Sequence, residues 1–137
     1  MLNKALTHRH DRSRAQAMTE FAIVAPILLL ILMGIMQLGV VYNNWVSLTD
    51  AARAGARKAA VCRSGCSPDG ATAAVNAAKN SAPNLNWSSG CAAVTVTSAW
   101  TQGSDATVTA NYPWSINVMG VVVASGCMTA TTTERVE

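Results

Sequence analysis

The feature that most constrains this chain is an uncharged apolar run of 22 residues, from Phe21 to Tyr42. A helix rises about 1.5 Å per residue, so roughly 20 apolar residues span the hydrocarbon core of a bilayer. The run exceeds the apolar core of a secretory signal, about 7–15 residues, and no small-residue cleavage site follows it. We therefore predict one membrane-spanning helix, with a basic leader before it and a separate domain, the head, after it.

Basic residues flank the span on both sides, so their number alone does not orient it. They are Lys4, Arg9, Arg12 and Arg14 before the span, and Arg53, Arg57, Lys58 and Arg63 after it. The arginines of the leader lie nearer the span, and all four cysteines follow it. The positive-inside rule and the oxidising conditions that disulfides need then favour one orientation. We predict a cytoplasmic N-terminus and an extracytoplasmic head.

The four cysteines, Cys62, Cys66, Cys91 and Cys127, lie on one side of the span. An even number in one compartment indicates disulfides, and four cysteines allow three pairings. We favour Cys62–Cys66 with Cys91–Cys127. Free buried thiols are the alternative. A metal site is less expected, because the cysteines lack a second closely spaced pair and both histidines lie in the leader.

Helical periodicity continues beyond the span. Small or apolar residues recur every three or four positions at Leu48, Ala52, Gly55, Ala59 and Cys62. This spacing puts them on one helical face. We predict one continuous helix of about 45 residues that ends near positions 63–65 and supports the head.

Three residues of the span bear on how it packs. Pro26 removes one helical hydrogen bond and is expected to bend the helix near its cytoplasmic end. Gly34 and Gly39 permit close approach of another helix, although glycine is also common in membrane helices.

The rest of the head predicts one more helix and a sheet, and hence an α+β fold. Ser67 is the predicted N-cap of the second helix, with Pro68 in its first turn, and Pro83 stops it. Strands over 93–100 and 105–112, joined by a turn at 101–104, predict a hairpin. The apolar stretch 114–124 is expected to be a loop or short helix near the membrane surface. A last strand over 128–136 completes an antiparallel sheet of at least three strands, packed on the long helix.

Nothing in the head points to catalysis. It has no histidine, its carboxylates are scattered, and no nucleophile, phosphate-loop or metal motif is present. The net charge of +3 is small, and no basic patch is interleaved with aromatic residues. We predict a protein that is not an enzyme and uses no cofactor, metal or nucleic acid.

The segment from Arg14 to Val61 resembles a TadE-like domain of the tight-adherence (Tad/Flp) pilus system, within the type IV pilin superfamily. The matching features are Glu20-Phe21, the apolar run with its proline and glycines, and the sequence LTDAARAGAR over 48–57. They cover about a third of the chain. The resemblance implies a type IV pilin-like fold and a role as a minor pilin or pseudopilin of a pilus assembly or secretion apparatus.

The resemblance also implies processing. A prepilin peptidase would cut between Ala15 and Gln16 on the cytoplasmic side, which makes Glu20 the fifth residue of the mature chain. The new N-terminal amine of one subunit could then neutralise Glu20 of a neighbour when helices bundle. Ala15 stands where the family usually has glycine.

The implied partners are other pilins bound through the apolar helix, the peptidase, the inner-membrane assembly platform and the lipid bilayer. The implied organisation is a leader (1–15), the transmembrane part of the helix (16–42), the helical spine of the head (43–63) and an α+β head (64–137), in a single-pass protein of the bacterial inner membrane. The alternative is an uncleaved, membrane-anchored accessory or binding protein of the cell envelope, which Ala15 favours.

Overall fold

The computed structural model describes residues 3–62, 66 and 69–137, and it describes side chains from Arg14 onward. In chain order its elements are α1 (Asn3–Val61), α2 (Gly70–Ser81), β1 (Ala93–Ser98), β2 (Asp105–Val118) and β3 (Val121–Arg135). Helix α1 passes through two compact units of the chain, one that reaches Gln37 and one that begins at Leu38. The predicted α+β class is confirmed.

Helix α1 is longer than predicted. It has 59 residues instead of about 45, because it begins in the leader at Asn3. The leader contains arginine, leucine, lysine and other residues that favour helix and has no glycine or proline, so the helix can begin well before the apolar run. Pro26 lies inside the helix. At the other end, the Cys62 backbone N–H donates to the Ala59 carbonyl at 3.1 Å, which closes the last turn. The predicted end at 63–65 falls outside the described residues.

Helix α2 begins with an aspartate cap. The Asp69 carboxylate accepts hydrogen bonds from the Thr72 backbone N–H at 2.7 Å and from the Thr72 hydroxyl at 2.9 Å. These bonds favour the ionised form and hold the pKa of Asp69 below its usual 3.8. The predicted cap at Ser67 is therefore wrong, since Asp69 holds that position; Ser67 and Pro68 themselves lie outside the described residues. The helix ends before Pro83, as predicted.

The three strands form one antiparallel sheet in the order β1-β2-β3. The predicted hairpin of β1 and β2 is confirmed, with a register from Ala93 opposite Asn111 to Ser98 opposite Ala106. Strand β3 pairs with the whole length of β2, from Asp105 opposite Arg135 to Val118 opposite Val121, with a bulge on the way. It therefore begins earlier than the predicted strand over 128–136.

The prediction of a loop or short helix over 114–124 was wrong, because this stretch is the far end of the β2–β3 hairpin. Apolar residues alternate there through Trp114, Ile116 and Val118. Met119 and Gly120, with φ of 53° and 86°, form a two-residue turn. Pro113 is compatible with the strand because β1 pairs only as far as Asn111, so β2 has a free edge beyond that residue.

The core is built mainly from small residues. The helical face predicted from the sequence is buried against α2 and the inner face of the sheet, which confirms that interpretation. We call it the small-residue face; it comprises Leu48, Ala52, Gly55, Ala59 and Cys62, all of them buried, and the buried Ala51 lies next to it. A Cβ atom added to Gly55 would lie 3.1 Å from Ala78 Cβ, 3.1 Å from Val108 Cγ1 and 3.2 Å from the Ala74 carbonyl oxygen. Glycine at this position thus lets α1 approach both α2 and β2.

Candidate functional site

The predicted processing residues lie on the surface of α1, over residues 15–21, which we call the processing segment. The Gln16 side-chain amide donates to the Glu20 carboxylate at 3.2 Å, and the Thr19 hydroxyl donates to the Ala15 carbonyl at 2.9 Å. Ala15, Gln16 and Glu20 are thereby brought within about one helical turn. Phe21 follows directly and is 72% exposed. The segment is exposed, and its side chains include one carboxylate.

The apolar run beyond Phe21 is also exposed. Within the described part of the chain, one helix is long and apolar enough to cross a membrane, and it lies between Arg14 and Val61. No part of its most apolar window is buried. Its large exposed side chains include Ile23, Leu29, Ile35 and Met36. A contiguous apolar surface of this size is unfavourable in water and is normally covered by lipid or by other helices.

The glycines of α1 divide into two kinds. Gly34 and Gly39 have no atom within 4 Å of an added Cβ, so the space beside them is open. Gly55 is already filled by α2 and β2 of the same chain. Packing against another chain therefore remains a prediction for Pro26, Gly34 and Gly39, whereas the contact at Gly55 is intramolecular.

Both disulfides of the favoured pairing are present. Cys62–Cys66 joins the residue after α1 to the segment that leads into α2, with a Cα–Cα distance of 5.4 Å. Cys91–Cys127 joins the turn before β1 to β3 with a Cα–Cα distance of 6.5 Å. In β3, Cys127 lies opposite Pro113 of β2. The second bond therefore fastens the chain ahead of β1 to the hairpin at the level where β1 pairing has ended.

The outer face of the sheet carries a row of hydroxyl groups that was not predicted from the sequence. Neighbouring strands place threonines side by side, and the hydroxyl oxygens of Thr107 and Thr133 are 3.0 Å apart. The Thr129 hydroxyl donates to the Asn111 side-chain oxygen at 2.8 Å. The T-x-T repeats at 95–97, 107–109 and 129–133 carried the signal. These hydroxyls bond to one another across the strands and face outward.

The inner side of the hairpin meets α1 where the apolar run ends. Trp114 and Met128 of the hairpin, with four residues of α1, line an apolar cavity of about 400 Å³. The α1 residues are Leu38, Val41, Tyr42 and Trp45. This contact was not predicted, because the stretch after Pro113 was expected to be a loop or short helix rather than a strand. The alternation of Trp114, Ile116 and Val118 ahead of Met-Gly was the signal that could have revealed it.

The described residues contain no group of three or more His, Cys, Asp or Glu side chains placed to hold a metal ion. Their buried side chains include no charged or polar one.

The family model described as TadE-like protein matches residues 15–57. This stretch is TadE-like. The match confirms the resemblance that the sequence suggested. It covers the processing segment, the span and most of the small-residue face. No curated protein and no solved structure matches the chain.

The TadE-like match suggests a Tad pilus-associated component, and the exposed apolar helix suggests membrane association. A family of this kind implies interaction with other pilus components. The match ends at Arg57, which leaves the sheet and its two surfaces without a counterpart in the family model.

Proposed function

We propose that this chain is a minor pilin or pseudopilin of a Tad-type pilus assembly or secretion apparatus, and that a prepilin peptidase processes it between Ala15 and Gln16. The observation that carries the proposal is the processing segment, a carboxylate at the start of an exposed apolar helix inside a TadE-like match that begins at Ala15. In this scheme the leader is the cytoplasmic part that the peptidase removes. The head is extracytoplasmic.

Glu20 has a specific part in this proposal. An ionised carboxylate is costly at the edge of a bilayer unless a positive charge lies nearby. Cleavage after Ala15 creates an amine on Gln16, whose side chain already bonds to Glu20 within the same turn. In a bundle of pilin helices, that amine on one subunit would neutralise Glu20 of its neighbour. Gly34 and Gly39, which have open space beside them, would let the helices approach closely.

Processing is tested by expressing the full chain with and without an active prepilin peptidase and determining the mature N-terminus by mass spectrometry. We expect a chain that begins at Gln16 only when the peptidase is present. Ala15→Gly is the matched variant, and it should be cleaved faster because it restores the residue that the family usually has. If the peptidase cleaves the Ala15→Gly chain but leaves the wild-type chain intact, the proposal that the natural protein is processed is rejected.

A second candidate function is a permanently anchored accessory protein of the cell envelope that is neither cleaved nor assembled. Ala15 at the cleavage position favours it. The two functions differ in where the chain is found after pili are sheared from cells. Recovery in the sheared fraction supports the pilin, and complete retention in the membrane supports the anchored protein.

A further inference from the structure

The far end of the β2–β3 hairpin is an exposed apolar surface, which we call the hairpin tip and define as residues 115–124. Met119 is 76% exposed, Val121 and Val123 are each 66% exposed, and Val122 is 56% exposed. The sequence between Asp105 and Glu134 contains no charged residue. Four large apolar side chains rarely stay open to water side by side, so the hairpin tip requires a covering surface.

The contacts of β2 give the direction in which the hairpin tip points. Three residues of β2 each share a cluster or cavity with a residue of α1. The pairs, in order along β2, are Ala106 with Ala59, Ala110 with Leu48, and Trp114 with Val41. For each four-residue advance along β2, the contact on α1 moves back by roughly two to three turns. Strand β2 therefore runs antiparallel to α1. At about 3.3 Å per residue, the chain from Trp114 to Met119 is at most roughly 16 Å long, which is the upper limit of how far Met119 lies beyond Trp114 in that direction.

This direction leads toward the bilayer that the apolar run would span. Tyr42 is the last residue of that run, and its ring lies 6.0 Å from the ring of Trp45. Both residues line the cavity with Trp114. Tyrosine and tryptophan prefer the membrane–water interface, so these three aromatic residues mark its level. The hairpin tip extends past that level on the lipid side.

The composition of the hairpin tip fits a shallow position. Ile116 and Val118 lie on the same side of β2 as the buried residues at its beginning, Ala106 and Val108. Ser115 and Asn117 lie on the opposite side. The two strands pair with each other as far as Val118 and Val121, but their outer edges keep unpaired backbone groups. Such edges are too costly for the middle of a bilayer and acceptable where water still reaches. The boundary between headgroups and acyl chains satisfies both conditions.

We propose that the hairpin tip inserts its methionine and valine side chains into the outer leaflet, so that the bilayer holds the head at two points. The covering surface is thus lipid, because the tip lies beyond the aromatic residues at the end of the span and carries no charge that would select a protein partner. This inference rests on the membrane insertion of α1 included in the proposed function. It does not depend on leader cleavage or on incorporation into a pilus.

Depth-dependent quenching tests the inference on the full chain in phosphatidylcholine–phosphatidylglycerol vesicles. Val122→Cys receives an environment-sensitive fluorophore, while the native cysteines are held in disulfides. Thr131→Cys is the matched control, because Thr131 is exposed on the same strand but far from the turn. Leu30→Cys reports on the span. We expect a blue-shifted emission, quenched by lipids with a spin label near the headgroup, at position 122 but not at position 131.

The outcomes separate this inference from the proposed function. A probe at position 30 that no lipid label quenches would refute insertion of α1, and both would fail. Quenching at position 30 with a water-exposed probe at position 122 would overturn only the inference. A probe at position 122 that is shielded from water but not quenched, and that cross-links between two copies, would also overturn it by identifying a second chain as the cover.

Discussion

Among single residues, Gly55 has the most direct effect on the packing of the head. An added methyl group would meet a side-chain carbon of Ala78, one of Val108 and the carbonyl oxygen of Ala74, all within 3.1–3.2 Å. None of these atoms can turn away easily, since one is an alanine Cβ and another belongs to the backbone of α2. Alanine at this position would gain about 1 kcal/mol of helix propensity, but overpacking a core typically costs about 1–3 kcal/mol.

We therefore predict that Gly55→Ala lowers the stability of the head by on the order of 1 kcal/mol, and that Gly55→Val lowers it further. The measurement is urea unfolding in detergent micelles, followed by the near-ultraviolet circular dichroism of the head. Gly39→Ala is the matched control on the same helix, because no atom lies within 4 Å of its added Cβ. A Gly55→Ala protein as stable as the wild type would contradict the close packing of α1 against α2 and β2 at this position.

At the scale of elements, the sequence was most informative where one periodicity ran long. The apolar run and the face from Leu48 to Ala59 predicted a continuous helix and its buried side, because a 3.6-residue period over many turns has few other interpretations. The β1–β2 hairpin was equally readable from strict alternation ahead of a turn. The cap at Asp69 was missed because Ser67 and Pro68 form an equally good start signal two residues earlier.

The hairpin tip was missed for a different physical reason. Pro113 usually ends a strand because it lacks an N–H group, and here β2 continues through it. Only the pairing shows why: β1 has already ended opposite Asn111, so that edge of β2 needs no donor. Sequence alone does not reveal which edge of a strand is free. The same limit applies to the cavity at Trp114, which depends on where the hairpin passes α1.

The two disulfides are predicted to stabilise the head unequally. Cys91–Cys127 closes a loop with a sequence separation of 36 and Cys62–Cys66 one of 4. The entropy of loop closure then predicts a loss of roughly 3–4 kcal/mol for the pair Cys91→Ala and Cys127→Ala, and about 2 kcal/mol for the pair Cys62→Ala and Cys66→Ala. Urea unfolding in micelles measures both. An equal or larger loss at Cys62–Cys66 would show that loop length does not govern their contributions.

For the whole molecule, the central question is which end lies in the cytoplasm. Within about 20 residues of the span, lysine and arginine are equally numerous on its two sides, with four residues in the leader and four at positions 53–63. The basic residues at 53, 57 and 58 are exposed and follow the span on α1. Orientation therefore depends on the shorter distance of the leader's arginines from the span rather than on an excess of charge. The proposed processing and the disulfides both require an extracytoplasmic head.

Such a balance makes the orientation sensitive to small changes of charge. We predict that alkaline phosphatase fused after Glu137 is active in a bacterial host, because that enzyme folds only outside the cytoplasm. Arg12→Asn with Arg14→Asn should reduce this activity and raise the fluorescence of a green fluorescent protein fused at the same place, since half of the leader's positive charge is removed. Arg53→Asn with Arg57→Asn is the matched control and should leave the phosphatase activity unchanged or higher. A wild-type fusion that fluoresces and lacks phosphatase activity would place the head in the cytoplasm, where neither disulfide would persist.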